Sequence, residues 1–435
     1  MPPESLSSVF FGPSLFFFAE SGLPNDRPTL HLVVCSTHID DEHPRKIPVL
    51  RSARVSVAVV FFIHGLLVSN WLARIPAVQA DLRLTSGVLG LALLGASGGA
   101  FAAIFGIPRL LIRFGSARVT TWSSFGLCAV LALPALATSA ALLAAALVLY
   151  GAMAGAMDVA MNTQAVDVER AYRRPVMVAF HALFSFGGMT GAAMGGLAAA
   201  RGIRPLPHLV GIGITLAVAT FFATRRLLPD DPEALAAPPE FSLAAIRPLV
   251  PLGTIAFCIL LGEGAMADWG AVYLTEYTSQ GAAAAGYAVF SLTMATGRLA
   301  GDWLRMKIGS VNLVRLGGAI AAAGLAAGLA VGGVTPTLLA FACAGAGFST
   351  IFPITLSAAG HKVASQTGVA AVTGIGYLAF LAGPPAIGLL ADAMTLRVAL
   401  GLTVILSAIA ALLAGSVREA DAEMGLTGVA ADHGH

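Results

Sequence analysis

The chain has 435 residues, of which 57% are hydrophobic and only 11% charged, with a formal net charge of +2. A water-soluble domain carries about 25% charged residues, so this composition excludes a water-facing surface and points to an integral membrane protein. Nothing resembles the basic patch with interleaved aromatics that nucleic acid requires. The four cysteines (Cys35, Cys128, Cys258, Cys343) are scattered and suit neither a metal site nor a disulfide framework.

Residues 1–54 hold a short apolar piece around Phe10–Phe18, broken by Pro13 and ended by Glu20, then a polar stretch with Arg27, Arg45 and Lys46. The apolar piece is too short to span a bilayer and no basic region precedes it, so a secretory signal is not expected. The expectation is a disordered extension or an over-extended gene start.

From Val55 onward, apolar runs of helix-spanning length follow one another: 55–73, 86–108, 117–138, 140–164, 175–199, 206–224, 248–274, 281–303, 311–333, 336–358, 368–391 and 396–416. The runs are continuous rather than alternating, which excludes a β-barrel reading. The predicted fold is all-α with twelve transmembrane helices. The Pro- and charge-rich connection 225–247 divides them into two six-helix bundles, 55–224 and 248–416, and 417–435 is a polar tail. With the N-terminus inside, twelve Arg and Lys residues, among them Arg113, Arg170, Arg226, Arg305 and Lys362, fall in cytoplasmic connections, against five on the far side. That asymmetry places both termini in the cytoplasm.

Most polar side chains inside the apolar runs are expensive there unless they face protein or water, so they propose a site. On the fourth span Asp158 and Asn162, at i and i+4, share one face, and His181 on the fifth lies at a similar depth. An Asp and a His at one depth can exchange a proton or hydrogen-bond a polar solute; a structural hydrogen bond clamping the two spans is the alternative. On the seventh span Glu263 sits near mid-span and can carry a proton as the site alternates between wet and dry. Asp268 and Trp269 follow towards the far side, Trp269 as a belt aromatic or a stacking wall. Gly262, Gly264 and Gly270 are expected to weaken this helix into a discontinuous, cavity-lining segment. His64, Asn70 and Trp71 on the first span, Ser349, Thr350 and Thr355 around Pro353 on the tenth, and Tyr377 on the eleventh are further candidates. Gly187, Gly191 and Gly195 repeat every four residues and read as a helix-packing stripe.

The connection PRLLIRFGSAR (108–118) is echoed by GRLAGDWLRMKIG (297–309). Both resemble the G-x-L-x-D-R-x-G-R-R loop signature of the major facilitator superfamily. The first copy keeps Arg113 and Gly115 but has Ile112 at the acidic position, and the second keeps Arg298 and Asp302. The resemblance implies a latch between helix ends, while plain positive-inside anchoring is the alternative. The stretches 155–170, 180–192 and 262–276 resemble the YbjJ-type permeases of bacterial inner membranes, relatives of the fucose permeases. That resemblance implies a twelve-helix secondary transporter in the bacterial inner membrane.

Together these readings predict a carrier, not an enzyme, that moves a small polar solute by alternating access with proton coupling. It is expected to be monomeric, to need no cofactor or metal, and to have the lipid bilayer, the solute and protons as its partners. No phosphate-binding loop points to ATP. An exporter of amphipathic compounds is the alternative within the class. A transporter-like sensor, or an intramembrane enzyme built on His181 and Ser185, is the alternative outside it.

Overall fold

The structure is a computed structural model that describes residues 43–172, 176–229, 247–362 and 366–424. Most of the expected N-terminal extension, most of the 225–247 connection and the end of the tail lie outside these residues. Among the described residues there is no strand.

Among the described residues, eleven continuous helical stretches are long and apolar enough to cross a membrane. One of them, Ala285–Val331, is two spans joined end to end, because Gly309 has φ 76° and ψ 160° inside it. A straight helix of that length would measure about twice the hydrocarbon thickness. The twelve expected spans are therefore all present. The first helix begins at His43 rather than Val55 and ends at Leu72, with a short helix Ile75–Leu82 behind it. The others are Ser86–Phe114, Ser116–Val130, Ala140–Tyr172, Met177–Ala200 and Pro205–Thr224 in the first half. The second half holds Val250–Leu274, the two limbs of Ala285–Val331, Val334–Phe348 with Ile351–Lys362, Gln366–Ala393 and Leu396–Leu412. A 3-10 segment, Leu413–Met424, continues the last span and buries Ala414 and Val417 completely, so the packed body extends past the predicted boundary at 416.

The internal echo has a structural counterpart. Gly115 (φ 83°, ψ 159°) ends the second span as Gly309 ends the eighth, and a buried serine follows each, Ser116 and Ser310. Only glycine takes this backbone conformation without strain. The register places Met306, not Asp302, at the acidic position that Ile112 holds in the first copy, matches Lys307 to Arg113, and puts Arg298 and Asp302 farther up the helix. Ser116 accepts a hydrogen bond from the fully buried Gln164 at 2.7 Å, and Gln164 also bonds both backbone groups of Leu228 at 3.0 Å. The first loop is thus tied to the start of the connection between the halves.

Close helix contacts follow the small residues. The Gly187, Gly191 and Gly195 stripe packs on the first span, where a Cβ on Gly191 would lie 2.7 Å from the Leu66 carbonyl oxygen. Two glycines of the fourth span, Gly151 and Gly155, pack on Ala96 and Ala100 of the second. The seventh span corrects an expectation, because Val250–Leu274 is one unbroken helix. Its glycines are notches for aromatic rings: Gly262 receives Phe348, Gly264 receives Phe380 and Gly270 receives Phe341. The discontinuity is on the tenth span instead, at Ser349–Thr350, with Pro353 in the first turn of the second piece, where its missing N–H costs nothing.

Arg74 lies in the turn between the first span and the short helix behind it. It is 2% exposed and donates to the carbonyls of Gly195 and Ile203, joining the end of the first span to the end of the fifth. At the opposite end of the molecule, Glu169 accepts the backbone N–H groups of Val176 and Met177, both at 2.8 Å, and so caps the fifth span from the end of the fourth. Replacing Glu169 with Ala should cost about 1–2 kcal/mol, and Glu169→Gln about half of that, because the amide oxygen still accepts. Thermal unfolding of the purified variants checks the order, and equal midpoints for all three proteins would refute the cap.

Candidate functional site

Between the halves lies a cavity of about 900 Å³. The first half contributes Asp158, Asn162 and Arg170 of the fourth span and Met177 and His181 of the fifth. The second half contributes Glu263, Arg298, Asp302, Arg305, Ser349, Thr350, Pro353 and Tyr377. Asp167, Arg170, Asp302 and Arg305 mark its mouth at the end of the molecule that carries Gly115, Gly309 and the connection between the halves.

Four residues of the predicted solute and proton path, Asp158, Asn162, His181 and Glu263, are therefore brought together from three spans, with Arg298 and Asp302 of the predicted latch beside them. The Asn162 amide donates to the Asp158 carboxylate at 3.2 Å and to the Asp158 carbonyl at 2.9 Å, fixing both on one helix face. The His181 ring stands edge-on to Phe61 at 5.3 Å. Arg298 spans the gap between the halves: one guanidinium nitrogen donates to Ser185 Oγ at 2.9 Å, and another lies 4.0 Å from Glu263 Oε2. The side chains of Arg298 and Glu263 are 17% and 18% exposed, so they meet in a mostly desolvated setting where charge interactions are strong. Ser185 also donates to the His181 carbonyl at 3.2 Å. This bond runs to the main chain rather than the imidazole, so the pair is not arranged as a nucleophile and its base.

Other predicted residues lie outside this cavity. His64 is 4% exposed against Phe184, and neither ring nitrogen has a partner among the described residues. Asn70 is fully buried and donates to the Leu66 carbonyl of its own helix at 2.8 Å. Trp269 is fully buried, which excludes a belt position, and its ring tip lies 3.1 Å from where a Cβ on Gly388 would be. Asp268 is half-buried on the same helix, outside the cavity lining. Thr355 is fully buried and bonds the Ile351 carbonyl, whereas Ser349, Thr350 and Tyr377 do line the cavity. Arg113 is exposed and its guanidinium stacks 5.1 Å from the Phe114 ring centroid.

Sequence reasoning missed a second polar group deeper between the halves. Ser69 of the first span and Ser291 of the eighth converge on Gly188 of the fifth, where a Cβ would lie 3.3 and 3.1 Å from their hydroxyl oxygens. Buried Tyr150 packs near Trp71 at 6.2 Å, and its hydroxyl has no partner among the described residues. Single serines and tyrosines in apolar runs carry no signal of their own, since most bond their own helix.

At the opposite end from the mouth the halves are in contact. The start of the second span meets the end of the eleventh: Thr85 Oγ1 donates to Asp392 Oδ2 at 2.7 Å, and a Cβ on Gly90 would lie 3.1 Å from the Pro384 carbonyl carbon. The end of the fifth span meets the start of the eighth, where a Cβ on Gly196 would lie 2.7 Å from the Gly281 carbonyl oxygen. The cavity is thus open at one end and closed at the other.

Comparison with known proteins agrees with this geometry. The family model of the Major Facilitator Superfamily matches residues 57–377. An uncharacterized MFS-type transporter of Yersinia pestis is 34% identical over 364 residues, covering 82% of this chain and 93% of that protein. Membrane protein MosC of Rhizobium meliloti is 30% identical over 380 residues, covering 83% and 91%. Among solved structures, the nucleoside transporter NupG superposes with a TM-score of 0.62 at 14% identity, covering 84% of this chain and 98% of that one. FucP, a major facilitator transporter in its outward conformation, gives 0.56 at 16% identity, covering 83% and 97%. With two six-helix halves around a cavity open at one end, the chain belongs to the major facilitator superfamily of membrane transporters.

Proposed function

We propose that the chain is a secondary active transporter that moves a small polar solute, sugar-like or a related metabolite, across the bacterial inner membrane by alternating access coupled to protons. The observation that carries this reading is the cavity between the halves. Its 900 Å³ suits a small metabolite, and both walls present hydrogen-bonding groups: Asp158, Asn162 and His181 on one side, Glu263, Arg298 and Tyr377 on the other. Acids and bases are mixed, which favours a solute with several hydroxyl or amide groups over a lipophilic cation. Glu263 and Asp158 are the carboxylates assigned to the proton. Arg113 and Gly115 at the end of the second span, and Asp302 at the mouth, are assigned to contacts that form when the mouth closes. The bias of basic residues puts that mouth, and both termini, in the cytoplasm.

Thermal unfolding of the purified protein against sugars, sugar acids, polyols and nucleosides tests the reading, nucleosides being included because NupG is a nucleoside transporter. A binding solute raises the unfolding midpoint with concentration. Glu263→Gln or Asp158→Asn should abolish the rise, and in proteoliposomes both should uncouple accumulation from the pH gradient. Stabilisation by lipophilic cations alone would favour the exporter, and pH-driven accumulation unchanged in both variants would remove the coupling proposal.

A further inference from the structure

A second groove, of about 770 Å³, lies between the first and sixth spans at the mouth end but on the outside of the first half. Arg51, Val55 and Val59 line it from the first span, and Arg226 and Phe222 from the end of the sixth, with Arg225 beside them. On the first span these positions are four apart and so form a stripe on one face, and at the sixth Arg226 follows the helix end about one turn beyond Phe222. On both helices a guanidinium at the rim is followed by apolar side chains deeper in. Val55, Val59 and Phe222 are exposed, Phe222 to 62%, on a surface that in the membrane meets hydrocarbon. Arg225 stacks on Phe221 with its guanidinium carbon 4.0 Å from the ring centroid, which holds it at the rim. Among the described residues, no carboxylate pairs with these three arginines.

Positive-inside anchoring accounts for arginines at a helix end but not for a groove of this volume, with the same order of guanidinium and apolar side chains on two neighbouring helices. A free phosphate would satisfy the rim and leave the apolar floor unfilled. An amphiphile with an anionic head and a hydrocarbon tail matches both. We propose that this groove is a binding site for an anionic phospholipid, its phosphate between Arg51, Arg225 and Arg226 and one acyl chain along Val55, Val59 and Phe222. The site is separate from the central cavity and does not depend on which solute the protein carries.

The test uses the full chain, purified and delipidated in non-ionic detergent. It is titrated with dioleoylphosphatidylglycerol, dioleoylphosphatidylcholine and inorganic phosphate while thermal unfolding is followed. Phosphatidylglycerol should raise the midpoint by about 3 °C and saturate, and the other two should leave it unchanged. The triple variant Arg51→Gln, Arg225→Gln, Arg226→Gln should lose the shift. Arg226→Gln alone should bind about fivefold more weakly and Arg226→Lys nearly as well as the parent. Arg315→Gln, exposed elsewhere, should change nothing. Equal stabilisation by phosphatidylcholine, the same shift with phosphate alone, or a shift retained in the triple variant would overturn the proposal. If the triple variant does not fold, equal affinities for Arg226→Gln and Arg226→Lys would do so.

Discussion

Arg298→Gln should abolish transport, with solute affinity reduced at least about 100-fold, while the protein still folds. Removing one member of a partly buried ion pair leaves the other uncompensated, at a cost of about 1–3 kcal/mol, below that of a fully buried pair. Here the guanidinium also makes the 2.9 Å bond to Ser185, which is the link from the eighth span to the fifth across the cavity. The variant therefore loses the stabilisation of Glu263, a contact between the halves, and a guanidinium donor of the lining. Arg298→Lys keeps the charge but cannot reach two partners with a planar fork, so a partial loss is expected. The double variant Glu263→Gln, Arg298→Gln separates stability from function. It should unfold at nearly the parental temperature, because no charge is left buried and alone, yet remain inactive in proteoliposome uptake. Uptake by Arg298→Gln within a few-fold of the parent would show that the arginine is outside the solute path.

Arg298 also shows where the sequence stops being readable. Its neighbourhood looks like a loop signature, and counting residues puts it near a helix end. The Gly309 break, which fixes where the eighth span ends, is a single glycine among many, and only its backbone angles reveal that it matches Gly115. Depth was legible for Asp158, Asn162, His181 and Glu263, because position along a span follows from residue count. Facing was not, because these spans are apolar on most sides and give no polar stripe to orient them. Hence Asn70, His64, Asp268 and Trp269 share the composition of site residues yet lie outside the cavity. Glycine is ambiguous for a related reason. A glycine that breaks a helix and one that accepts a ring look alike until the ring is known, and the rings that fill the seventh span come from Phe341 and Phe348 on the tenth and Phe380 on the eleventh. Twelve spans, the two halves and the Gly187–Gly191–Gly195 stripe needed no such partner information, and these are the features that read correctly.

Gly90→Leu should open the closed end and shift the resting population towards the opposite conformation by about 10–100-fold. A Cβ at residue 90 meets the Pro384 carbonyl and lies 3.2 Å from Gly388 Cα, so the obstacle is main chain and cannot rotate away. Overpacking of this kind costs about 1–3 kcal/mol, which converts to that population range. The cost falls only on the state in which the second and eleventh spans touch, so the fold itself is not penalised. Asp392→Ala should act in the same direction but more weakly. It removes the acceptor of the 2.7 Å bond from Thr85 and the carboxylate beside the first N–H groups of the second span. Spin labels at the exposed positions Ala80 and Met394 report the separation directly. The parent should give a single short distance, Asp392→Ala a minor long component, and Gly90→Leu a dominant one. Transport should fall in Gly90→Leu, since a cycle needs both closures, whereas Gly401→Leu, at a glycine with open space around it, should leave distance and rate alone. A Gly90→Leu protein that keeps the parental distance and the parental rate would show that this contact between the halves does not set the conformational balance.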